Sequence, residues 1–79
     1  MPAIDAETVG GALTLRVHGE LSRESVHDLE RSWRLQRHSC QSVRLDLCDA
    51  TTIDECGKVL VGKMFAEGVE LVVRSRHAH

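Results

Sequence analysis

Three segments of the chain alternate apolar and polar residues with the period of a half-buried strand. Leu13, Leu15 and Val17 are separated by Thr14 and Arg16; Val43, Leu45 and Leu47 by Arg44 and Asp46; and Val69, Leu71 and Val73 by Glu70 and Val72. This alternation predicts strands over 12–17, 43–48 and 69–73, each with one face in a core. Between the first two, the apolar spacing becomes helical. Val26, Leu29 and Trp33 follow Ser22, a side chain able to cap a helix, and Glu24 lies just inside. The outer face of this helix carries Arg23, Glu24, His27, Glu30, Arg31 and Arg34, with Glu30 and Arg34 a favourable i, i+4 pair. It is expected to fade through 37–41. A second helix is predicted from Val59, Leu60, Met64 and Phe65, with Val61 beside them. Asp54 is its expected N-cap, Glu55 sits in the first turn where the helix dipole favours negative charge, and Gly68 ends it. Near the start, Pro2–Val9 reads as a weaker strand with Ile4, Ala6 and Thr8 on one side, and Gly10-Gly11 as a hairpin turn.

The predicted order is β-β-α-β-α-β. Right-handed helical crossovers make the last three strands parallel and place both helices on one face of a four-stranded mixed sheet. The fold class is therefore α/β, a two-layer sandwich. The inner strand face should pack against Val26, Leu29, Trp33, Leu60, Met64 and Phe65. The other face presents Thr14, Arg16, His18, Arg44, Asp46, Cys48, Glu70, Val72 and Arg74, either as solvated surface or covered by another subunit.

Composition narrows the function classes. A chain of 79 residues, 42% hydrophobic and 28% charged, is expected to form one globular domain over 1–79. With one Trp, one Phe and no Tyr, its core must be aliphatic. A net charge of −2 gives no nucleic-acid footprint. No apolar run is long enough to span a bilayer, and no signal peptide is expected, so neither membrane insertion nor export is predicted. Cys40, Cys48 and Cys56 are odd in number and lack CxxC spacing, which argues against disulfides and zinc and for a reducing cytoplasm. The sequence has no glycine-rich phosphate loop, paired catalytic carboxylates or nucleophile elbow, so no catalytic residue, cofactor or metal is predicted. Cys56 lies near a helix N-terminus, a setting that can activate a thiol, but no spacing supplies it with a histidine. His77 and His79 fall in a polar tail.

The segments LTLRVHGEL (13–21), Leu45-Asp46-Leu47, Ile53-Asp54-Glu55-Cys56-Gly57 and Gly68-Val69-Glu70-Leu71 together resemble a STAS domain, the family of sulfate-transporter and anti-sigma-factor-antagonist domains. The resemblance implies a non-catalytic regulatory module that binds a protein partner through Thr52, Asp54, Glu55, Cys56, Gly57 and Lys58 and the exposed side of the second helix. An anti-sigma factor or kinase-like protein is the implied partner; the alternative is a small cytoplasmic subunit bound to the ATPase of a membrane lipid transporter. The chain departs from the family in two places. The family's Asp-Ser-Ser-Gly or Asp-Ser-Thr-Gly turn is here Asp54-Glu55-Cys56-Gly57, so the phospho-acceptor position is Glu55. That carboxylate either mimics the phosphorylated state or merely complements the helix N-terminus. The family's further C-terminal helix has no counterpart, and a homodimer through the last strand or the uncovered flank of the second helix is expected.

Overall fold

Val9 and Ala12 face each other across Gly10 and Gly11, whose φ angles of +57° and +83° suit the primed two-residue turn that follows strand twist. In the computed structural model, which describes residues 4–73, this hairpin joins β1 (Ile4–Val9) to β2 (Ala12–Leu21). Then come α1 (Arg23–Gln36), a short 3-10 helix (Arg37–Ser39), β3 (Ser42–Ile53), α2 (Glu55–Ala66) and β4 (Glu70–Val72). The sheet order is β1-β2-β3-β4, antiparallel between the first two strands and parallel between the others. The predicted α/β class and element order are therefore observed. The predicted positions Pro2, Arg74, His77 and His79 lie outside the described residues.

The core is one cluster in which Leu13, Leu15, Val17 and Leu45 of the sheet meet Leu29 and Trp33 of α1 and Leu60 and Met64 of α2. Val26, Val43, Leu47 and Leu71 pack half-buried around it. Two expected core residues, Phe65 and Val73, are not in it, nor is Val59 of the predicted helical spacing. Val59, Phe65 and Val73 are 71%, 64% and 62% exposed. In α2 the inward stripe is Gly57, Leu60 and Met64, with Val61 beside it. Val59 and Phe65 each follow or precede that stripe by one residue, a rotation of about 100° around a helix axis. Leu21, beyond the predicted strand over 12–17, is also a core residue, with 1% exposure.

β3 is the other departure, running to Ile53, well past the predicted strand over 43–48. Its pairing with β2 slips twice. Arg16 pairs with Asp46 but His18 with Asp49, and Gly19 pairs with Ala50 but Glu20 with Thr52. Each slip inserts an extra residue into β3, a β-bulge. Inward positions thus change spacing from Val43, Leu45 and Leu47 to Leu47, Ala50 and Ile53, all packed on the cluster.

At the first bulge the Cys48 amide donates to Asp46 Oδ1 at 2.9 Å. That bond is the main reason the Asp46 carboxyl lies below its ordinary value of 3.8; the Cys48 thiol and the Arg16 guanidinium add to the effect and partial burial opposes it. A carboxyl depressed on folding contributes its stability above the unfolded value and loses it as pH falls through the folded one. The stability difference between wild type and Asp46→Asn is therefore expected to be largest near neutrality. It should shrink below about pH 4, as measured by urea midpoints across that range.

The outward sheet face carries cross-strand charge pairs. Arg16 Nε lies 3.2 Å from Asp46, Arg44 Nη2 lies 3.4 Å from Glu70, and His18 sits between Asp5 at 2.7 Å and Asp49 at 3.6 Å. These pairs satisfy the polar alternation read from the sequence, and the exposed ones at His18 and Arg44 contribute little to stability individually.

Candidate functional site

The turn from β3 into α2 lies at the carboxyl ends of the parallel strands β2 and β3. Asp54 has extended backbone (φ −82°, ψ −176°), and its carboxylate accepts the Gly57 amide at 2.9 Å. Its own amide donates to the Leu21 carbonyl at 3.2 Å, and its carbonyl accepts the Lys58 amide at 2.9 Å. The predicted N-cap is thus observed, and it also fastens the start of α2 to the end of β2. Ser22 occupies the corresponding place before α1, without a side-chain capping bond.

Gly57 is buried under this turn. A Cβ there would stand 2.8 Å from Ile53 Cγ2 and 3.1 Å from Leu21 Cγ and Cδ2. Only glycine lets the first turn of α2 sit this close to the sheet, which holds the capping geometry in place. Above it Thr52, Asp54, Glu55, Cys56 and Lys58 are all exposed. Of the six residues predicted to bind a partner, the structure therefore presents five side chains together and places the sixth beneath them as a spacer. The Glu55 side chain is 91% exposed and approaches Lys58 at 3.8 Å. Cys56 is an exposed free thiol.

Sequence reasoning missed Glu20, Leu21 and Ser22, which with Thr52, Ile53 and Asp54 line a depression of about 200 Å³ beside the turn. The signal was present: Leu21 continues the alternation of Leu13, Leu15 and Val17 through Gly19. From the turn the exposed face of α2 runs through Val59, Gly62, Lys63, Phe65 and Ala66.

The opposite end of the parallel strands carries a second depression, of about 270 Å³, whose lining includes Trp33, Arg37, Glu67 and Val69. Arg37 lies 4.8 Å from the Trp33 ring centroid and 2.8 Å from Glu67, so it seals the core tryptophan and ties the end of α1 to the end of α2. Glu30 ties the helices together a second time, accepting from Arg34 at 3.0 Å and from Lys63 at 3.5 Å; these contacts, Arg34 foremost, hold its carboxyl below the usual range despite some burial. Among the described residues, no group of three His, Cys, Asp or Glu side chains is placed to hold a metal, and no helix is long and apolar enough to cross a membrane.

The architecture matches solved structures along nearly its whole length. The anti-sigma-factor antagonist SpoIIAA, in its unphosphorylated form, matches 96% of the chain with a TM-score of 0.71 at 18% identity, and the chain covers 76% of it. A STAS-domain anti-sigma-factor antagonist from Rhodobacter sphaeroides matches 89% with a TM-score of 0.59 at 25% identity, and 82% of that protein is covered. This chain has a STAS-like fold. The same fold is found in Mglu, which matches 95% of the domain with a TM-score of 0.74 at 21% identity, although the domain spans only 20% of the Mglu chain. No protein-family model and no curated protein matches the sequence.

Proposed function

We infer that this STAS-like domain is a non-catalytic regulatory module of the anti-sigma-factor-antagonist kind. It docks onto an anti-sigma factor or kinase-like protein through Thr52, Asp54, Glu55, Cys56 and Lys58 and the exposed face of α2. The observation that carries this reading is Glu55, a carboxylate with 91% side-chain exposure on the first turn of a helix whose entry is fixed by Asp54 and Gly57. In the family turn that the sequence resembles, this position holds a serine or threonine that a kinase modifies. Glu55 supplies a permanent single negative charge there, against about −1.5 to −2 for a phosphoserine. In this reading the domain is held in the state that releases or disfavours the anti-sigma partner, without a phosphorylation step.

Titration of wild type and Glu55→Ser against the anti-sigma-type partner tests it. Glu55→Ser is expected to bind at least about tenfold more tightly, because an unpaired charge at an interface is expensive to desolvate. Its fold should change by at most about 1 kcal/mol, the size of a helix-terminus charge effect. Equal affinities would leave Glu55 as a helix-terminus charge alone.

A further inference from the structure

The depression at the far end of the sheet from the Asp54 turn lies where α1 and α2 finish and where β3 and β4 begin. Its apolar lining is Trp33, Val43 and Val69, all buried or half-buried. The same lining holds two opposite charges, Arg37 Nη2 and Glu67 Oε1, 2.8 Å apart. Solvent reaches both, with side-chain exposures of 32% and 37%, and their contact leaves both with capacity to spare. A guanidinium has five N–H donors and a carboxylate two oxygens. Among the described residues Arg37 otherwise meets only the Trp33 ring, and the Glu67 carboxylate meets nothing else. Gln41 and Ser42 complete the rim as exposed side chains that make no hydrogen bond among the described residues.

These groups select a ligand by its charge pattern. A simple anion at Arg37 is repelled by the adjacent Glu67, and a simple cation at Glu67 is repelled by Arg37, so each gains little. A molecule carrying both charges a few ångströms apart satisfies both, its carboxylate on the planar fork of Arg37 and its ammonium on Glu67. α-Amino acids have that spacing. The other titratable groups of the lining are the His38 imidazole and the Cys40 thiol, neither of them a fixed charge. The remainder of the ligand is therefore uncharged, and the three apolar residues favour a hydrocarbon side chain. Size agrees. A volume of about 270 Å³ lies just below the range of about 300–1,000 Å³ typical of drug-sized ligands, and suits one amino acid better than a nucleotide. We propose that this depression binds a free apolar α-amino acid, held by Arg37 and Glu67 at its two charges and by Trp33, Val43 and Val69 at its side chain. The site stands apart from the Asp54 turn and holds whether or not that turn docks a partner.

Titration of the full chain with L-leucine, followed through backbone amide resonances, tests the site. Saturable shifts are expected at residues 37–43 and 67–69, with a Kd of about 1 mM or tighter. Isocaproate, which is leucine without the ammonium, and isoamylamine, which is leucine without the carboxylate, are each expected to bind at least tenfold more weakly. Glu67→Gln keeps the shape of the side chain but removes its charge. In that variant leucine is expected to lose its advantage over isocaproate, an outcome that loss of a structural tie between the helices would not produce. Leucine shifts that fail to saturate, or that fall outside both segments, overturn the proposal, as does an equal response to leucine and either fragment. These wild-type comparisons decide the matter if Glu67→Gln does not fold. If it folds and keeps the full preference for leucine, the assignment of Glu67 to the ammonium is overturned and the proposal with it.

Discussion

Leu45→Ala is expected to destabilise the domain by about 2–5 kcal/mol, the range for truncating a fully buried leucine. Leu45 is 0% exposed in the middle of β3, where it pairs with Leu15 on one side and Leu71 on the other. The vacated space cannot be refilled easily, because its neighbours are strand residues fixed by pairing on both sides. Small domains have about 5–15 kcal/mol of total stability at most, so the substitution should leave a large unfolded fraction at room temperature. Urea denaturation of wild type and variant, read by tryptophan fluorescence from the buried Trp33, measures the difference. Phe65→Ala is the control: larger in volume removed but exposed, it should change stability by no more than about 0.5 kcal/mol in the monomer. A loss that small at Leu45 would invert the assignment of sheet faces.

The second large effect is a contrast within one helix. Gly57→Ala and Gly62→Ala add the same methyl group to α2, five residues apart, and should act in opposite directions. At Gly57 the methyl meets Ile53 Cγ2 at 2.8 Å, a branched side chain locked in the sheet, and Leu21 at 3.1 Å. Overpacking of this kind costs about 1–3 kcal/mol, and relief can come only by lifting the first turn of α2, which disturbs the Asp54 cap and the exposed residues above it. At Gly62 the methyl meets nothing within 4 Å, so the helix gains about 0.5–1 kcal/mol from the better propensity of alanine. Thermal melts of the two variants should move to opposite sides of wild type. Two shifts of the same sign would mean that propensity rather than packing governs Gly57.

Much of the molecule was legible in the residues because the relevant forces are local. Strict alternation in 13–17 and 43–47 identifies strands with one buried face, and Gly10-Gly11 selects a hairpin whose φ angles other residues disfavour. Asp54 and Gly68 mark the ends of α2 through capping chemistry that needs no tertiary partner, and the handedness of crossover connections then places both helices on one face of the sheet. The tertiary structure alone decided the rest. The bulges after Asp46 and Ala50 carry β3 on to Ile53, and a bulge erases the period of two by which a strand is recognised. The pattern of α2 leaves its buried stripe undetermined, because apolar residues occur on most of its sides. What selected Leu60 and Met64 over Val59 and Phe65 was the contact of Gly57 with Ile53 and Leu21, between residues brought together only when β2, β3 and α2 meet. That same contact turned Glu55 and Lys58 outward beside Thr52. The candidate site's composition was thus written locally, while its exposure and its spacer glycine came from long-range packing.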